Sequence, residues 1–184
     1  MRAKCVLFGG VAIAIAAIAS SASRSTLRDD RLKVPNGLAF SEFKGYEGWN
    51  VVAVSNGGRL AVILGNPVAI SAYKAGIPGN GRRFPDGSKM AKIHWDPQRS
   101  VAEPGQPLVP GALHDVDFMV KDSKRFADSG GWGYAEFEYQ RASHSYRPGT
   151  VRDEPPQNDD AKCGFACHTI VRSRDYVFTQ YASR

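Results

Sequence analysis

The segment 49–64 constrains this chain most. Trp49-Asn-Val-Val-Ala-Val-Ser55 is dense in strand formers, Asn56-Gly57-Gly58 follows, and residues 59–64 resume the strand-forming character. Asparagine and glycine adopt positive φ at little steric cost, so the intervening triplet predicts a tight turn and a β-hairpin. Three later segments read the same way. Residues 88–95 follow a Phe84-Pro85-Asp86-Gly87 turn. In 114–121, His114, Val116, Phe118 and Val120 alternate with Asp115, Asp117, Met119 and Lys121. After Gly130-Gly131, Trp132, Tyr134, Glu136 and Glu138 share one face, with Gly133, Ala135, Phe137 and Tyr139 on the other.

Helical signals are fewer. Asn66-Pro67 is a start, because Asn66 can cap free amides and Pro67 fits the first helical position. Val68, Ile70, Ala72, Tyr73 and Ala75 fill that helix, and Gly76 with Pro78 ends it. Residues 38–48 carry Leu38, Phe40, Phe43 and Tyr46 at spacings that predict one short amphipathic helix. The stretch 96–113, with Pro97, Pro104, Gly105, Pro107 and Pro110, reads as a long surface loop. Asp159 or Asp160 is expected to cap a final helical region, and Asp175 a closing segment over 176–181. The fold class is therefore α+β, mainly β: an antiparallel sheet of about five strands with peripheral helices and a C-terminal helical segment.

The chain of 184 residues suffices for one domain, and 23% charged residues is ordinary globular composition. Residues 1–23 read as a signal peptide. Arg2 and Lys4 precede an apolar run over 6–18, and small residues follow at 19–23. That run is too short for the roughly 20 residues that span a bilayer. Residues 24–36 read as a flexible arm and 37–184 as the domain. Cleavage implies a periplasmic or secreted protein with no membrane anchorage. Losing Arg2 and Lys4 takes the formal charge from +6 to +4, and the remaining basic residues form short pairs rather than a stripe. No nucleic-acid partner is expected, and no glycine-rich phosphate loop follows a strand.

Chemistry concentrates in Cys163-Gly-Phe-Ala-Cys167-His168. Two thiols followed by a histidine suit covalent haem c, although the usual spacing is one residue shorter. A Cys163–Cys167 disulfide is a second reading. It requires Cβ atoms to approach to roughly 3.5–4.5 Å, nearer than one helical turn places them. A zinc-type metal site is a third, and His94, His114 and His144 complete no recognised ligand spacing.

Three further stretches decide how the motif is read. Ile63-Leu-Gly-Asn-Pro-Val-Ala-Ile-Ser-Ala-Tyr73, Phe84-Pro-Asp-Gly-Ser-Lys-Met-Ala-Lys-Ile-His-Trp95 and Asp175-Tyr-Val-Phe-Thr179, with the Cys163 motif, resemble the cytochrome P460 / cytochrome c′-beta family over residues 49–181. The resemblance implies a periplasmic, β-rich homodimer with one covalent haem c per subunit and a five-coordinate iron. Cys163 and Cys167 would then form the thioethers and His168 would bind the metal. Lys92 matches the family's lysine cross-link to the porphyrin, whereas Lys89 has the opposite side-chain parity.

The implied activity is binding and redox transformation of a small nitrogen species, hydroxylamine or nitric oxide, with a periplasmic electron-transfer partner. Glu136 and Glu138 are the candidate catalytic carboxylates, because proton movement needs a carboxylate near the ligand. Phe84, Phe118 and Phe137 are aromatic candidates for the pocket, and His94 and His114 alternative redox-site residues. Two other readings stand beside this one. The chain could be a non-catalytic NO- or CO-binding or electron-transfer cytochrome, or a haem-free relative with a Cys163–Cys167 disulfide.

Overall fold

The structure, a computed structural model, describes residues 29–150 and 164–182. Cys163, Asp159, Asp160 and the expected signal peptide lie outside them. Within the described residues the chain forms one six-stranded antiparallel sheet in sequence order: β1 Asn50–Asn56, β2 Leu60–Gly65, β3 Lys89–Arg99, β4 Leu108–Lys121, β5 Trp132–Gln140 and β6 Ser145–Pro148. The expected hairpin is β1–β2, with Asn56 opposite Leu60.

The sheet departs from the sequence reading in two places. β6 lies in a polar stretch whose residues announce no strand, and its pairing with β5 makes it one. The stretch read as a long loop is largely a two-stranded extension of β3 and β4, with Pro97 opposite Pro110 and Arg99 opposite Leu108. β2 pairs β3 only as far as Trp95, and β5 pairs β4 only from Asp115. Both prolines therefore lie where the outer edges are unpaired, and a missing N–H there forfeits no ladder bond.

The strand alternation separates two faces. On one, Ala91, Ile93, Val116, Phe118, Val120, Ala135 and Phe137 pack under the N-terminal segment. That segment is two 3-10 turns, Phe40–Phe43 and Tyr46–Gly48, rather than the single helix expected. Gly45 interrupts it with φ +79°, a conformation glycine takes readily. The turns set Phe43 on Phe118 with ring centroids 4.0 Å apart and planes 12° from parallel. Such aromatic pairs add about 0.5–1.5 kcal/mol beyond their buried area.

The second face carries α1, Pro67–Lys74, as predicted, with Asn66 Oδ1 accepting the Ala69 N–H at 2.9 Å. Beside it lie Phe84, Met90, Trp132, Phe165 and Val177. The C-terminal segment forms α2, Phe165–His168, followed by a 3-10 stretch Thr169–Arg174. Asp175 begins no helix, because the chain from Tyr176 to Tyr181 is not helical; it is instead the C-cap of the 3-10 stretch before it. Its carboxylate instead accepts the Phe84 N–H at 2.8 Å and pairs with Lys121 Nζ at 2.7 Å. Trp132 Nε1 donates to the Asp175 carbonyl at 2.8 Å, so this corner ties the C-terminal segment to β4 and β5.

Candidate functional site

Register builds the site. Ile63, Lys92, Asp117 and Glu136 are successive cross-strand partners on β2 to β5, and Ala61, His94, Asp115 and Glu138 form the next row. Facing residues of an antiparallel sheet project to the same side, so both rows lie on the second face. The C-terminal segment crosses above the first row. Between them is a cavity of about 260 Å³ whose walls include Ile63, Met90, Lys92, Asp117, Glu136 and His168.

His168 is held for coordination. Its Nδ1 donates to the Tyr176 carbonyl at 2.5 Å, which fixes the tautomer and leaves Nε2 with its lone pair. Its ring rests between Tyr134, at 5.1 Å, and Phe178, at 4.9 Å. Burial is the main influence that holds its pKa below the ordinary histidine value, and Lys92 adds to it against the opposing backbone bond. A neutral imidazole with one anchored nitrogen beside a mainly apolar cavity fits a haem-iron ligand. Cys167, the residue before it, is exposed.

Lys92 lies on the cavity side, as its parity predicts. Lys89 lies on the other face, where its Nζ donates to the Glu42 carbonyl at 2.6 Å and sits 5.6 Å from the Phe43 ring centroid. Glu136 is buried and lines the cavity, and its Cγ is so close to Gly149 that a Cβ there would stand 2.9 Å from it. Glu138, two residues on, is ion-paired with Arg147 at the far end of the face and does not line the cavity. All three aromatic candidates are core residues, Phe118 and Phe137 under the N-terminal segment and Phe84 beside α1; Phe118 borders the cavity, but its ring stacks on Phe43 on the other face.

The structure adds Asp117, which the strand alternation places on the correct face without distinguishing it from its neighbours. Burial pushes its carboxyl up to about 7, and Asp115 and Glu136 reinforce the shift against the opposing charges of His94 and Lys92. It is therefore a carboxyl poised to take up and release a proton near neutrality. Only the register reveals this role, because three acidic residues from two strands must first be brought side by side.

Behind Asp117 lies a hydrogen-bonded string. His94 Nδ1 donates to Asp115 Oδ1, and His114 Nδ1 donates to Asp115 Oδ2 at 2.5 Å. Arg59 Nη2 donates to His114 Nε2 at 2.6 Å; the guanidinium has only hydrogens to give, so Nδ1 carries the proton of His114. A register shift lets Asp115 pair with His94 and Leu113 with Trp95, leaving His114 as the extra residue of a bulge. That bulge is what allows adjacent residues His114 and Asp115 to meet. The ligating atoms of His94, Asp115 and Asp117 lie within 4.8 Å of one another, close enough to share a cation. His94 and Asp115 are also directly hydrogen-bonded to each other.

Among the described residues no helix is long and apolar enough to cross a membrane. No curated protein matches the chain. The model of the cytochrome P460 family matches residues 43–179, from the first aromatic packed on the sheet to the segment that closes the cavity. The chain belongs to the cytochrome P460 family.

Proposed function

We propose that this chain is a periplasmic c-type haem protein that binds and redox-transforms a small nitrogen species, hydroxylamine or nitric oxide. The observation that carries the reading is His168, anchored through Nδ1 on the wall of a cavity that also contains Lys92, Asp117 and Glu136. Haem, when bound, supplies a redox-active iron with a vacant position for a small ligand.

The chain's own residues do the rest. Cys163 and Cys167 would hold the porphyrin through thioethers, His168 Nε2 would bind the iron, and Lys92 would attach to the ring edge. Ile63, Met90 and Phe178 exclude water and strengthen electrostatic interactions inside the cavity. Asp117 accepts a proton from a bound N–H or O–H group, and buried Glu136 beside it favours that uptake through like-charge repulsion. Glu138 is too committed to Arg147 for this work. We further propose that the protein works as a homodimer and exchanges electrons with a periplasmic partner.

Expression with cytochrome-maturation machinery, followed by denatured intact-mass measurement, tests the reading. The mature chain should be heavier by one covalent haem, and a mass equal to the oxidised polypeptide would refute it. A red-shifted Soret band would support the Lys92 cross-link, and an ordinary c-type spectrum would refute that part. The mainly apolar cavity lining also supports a binding-only cytochrome. Hydroxylamine turnover separates the two: ligand binding without oxidation would leave the binding role alone.

A further inference from the structure

A second cavity, of about 380 Å³, adjoins the first along Ser55, Lys92, Asp117 and Glu136. Its own wall adds Arg59, His94 and Asp115. The side chains of His94, Asp115 and Asp117 are 12%, 7% and 20% exposed, so this is not a solvated acidic surface. Among the described residues no hydrogen bond reaches the Asp117 carboxylate, and its ion pair with His94 spans 3.7 Å. Asp115, Asp117 and Glu136 set three carboxylates on this wall against two cations, Lys92 and Arg59.

We propose that the second cavity binds a first-row divalent cation through His94 Nδ1 and one carboxylate oxygen each of Asp115 and Asp117. The three ligand atoms lie within 4.8 Å of one another. Ligands held 2.0–2.2 Å from a metal stand about 3.0–3.5 Å apart. The His94–Asp117 separation of 3.7 Å therefore has little to close, and the direct His94–Asp115 contact has to open. The imidazole that donates from Nδ1 to Asp115 changes tautomer as the cation arrives. Its Nδ1–H bond breaks, the proton passes to water and water returns one to Nε2, so the proton count of the ring is unchanged.

A second layer of residues orients the ligands. Arg59 can only donate to His114 Nε2, so His114 Nδ1–H is committed to Asp115 Oδ2, which turns Oδ1 toward His94. One imidazole with two carboxylates and no thiolate suits zinc and its first-row neighbours better than calcium or magnesium. Three protein ligands leave positions open for water, for which the cavity has room. Cation binding would also engage Asp117, the proton acceptor of the proposed reaction, and so switch turnover off. That consequence rests on the redox reading above; the site itself does not, because none of its three ligands is assigned to haem.

Isothermal titration calorimetry with zinc chloride tests this on the full haem-loaded chain and should find one bound Zn²⁺ per chain. Cu²⁺ in its place should give an electron paramagnetic resonance spectrum split by one imidazole nitrogen. His94→Ala should remove both the splitting and the site. His114→Ala leaves all three ligands in place and should weaken binding about 10–100-fold. His144→Ala, outside the cavity, should change neither result. If His94→Ala does not fold, the copper spectrum and His114→Ala decide the matter. Absence of a stoichiometric site, a copper spectrum without nitrogen splitting, or an affinity unchanged in His94→Ala and His114→Ala would overturn the proposal. Hydroxylamine turnover should cease at full Zn²⁺ occupancy, and turnover that continues would overturn the switch. A chain lacking haem by intact mass would overturn the redox reading instead, while the titration still reads the cation site.

Discussion

Replacing Asp175 with alanine tests how the C-terminal segment is fixed to the sheet. Lys121 and Asp175 side chains are 4% and 3% exposed, and their Nζ–Oδ1 distance is 2.7 Å. Removing one partner of so buried a pair leaves an uncompensated charge, which costs about 3–5 kcal/mol. The Phe84 N–H also loses its acceptor, adding about 1–3 kcal/mol. The variant should therefore lose roughly 4–8 kcal/mol, most or all of the stability of a domain at the lower end of the usual range of about 5–15 kcal/mol.

Asp175 and Tyr176 hold left-handed backbone at φ 49° and 62°, and such strain persists only where surroundings over-determine it. Without the ion pair that corner relaxes, and the Tyr176 carbonyl that anchors His168 relaxes with it. Urea denaturation followed by tryptophan fluorescence provides the assay, since Lys121 Nζ lies 5.0 Å over the Trp132 ring. Lys121→Met alone should cost about 3–5 kcal/mol. Lys121→Met with Asp175→Leu should cost about 2–3 kcal/mol less than the two single changes added, because neither charge is then left alone. A loss below about 1 kcal/mol for each single variant, or simple additivity, would refute this account.

Other expectations concern the site and its supports. Asp117 has a folded-state pKa of about 7, raised from 3.8. The folded chain therefore binds the proton more tightly than the unfolded chain. This contribution is fully present below pH 3.8 and is lost as pH rises through 7. Asp117→Asn should accordingly be more stable than the parent at pH 8, by about 2–4 kcal/mol, with the advantage vanishing near pH 4, as thermal melts across that range would show. The same substitution should abolish the rise in hydroxylamine turnover with an apparent pKa near 7, and an unchanged pH profile would exclude Asp117 as the proton acceptor. His168→Ala should retain the intact-mass gain of covalent haem while changing its ligation spectrum; an unaltered spectrum would exclude His168 as the iron ligand. Asn66→Ala removes the helix cap and the acceptor for the Lys89 N–H, and should cost about 1–2 kcal/mol by urea denaturation.

Local rules settled much of this protein. The Asn56-Gly57-Gly58 turn, the capped Pro67 helix and the alternation in 114–121 and 132–140 depend on φ preference, missing N–H groups and a two-residue period. All act within a few residues of one another. The parity that sets Lys92 and Lys89 on opposite faces was legible for the same reason. What only the tertiary structure decided were the relations between strands. β6 exists because β5 offers a partner, and Pro97 and Pro110 join strands because their outer edges are unpaired. Glu136 and Glu138 look equivalent in the sequence, yet one register step puts Glu136 beside Asp117 at the cavity and Glu138 opposite Arg147. Asp117 shows the limit most clearly. Its alternation placed it on the right face, but its shifted pKa is a sum over burial and charges from three strands, and no segment contains that sum.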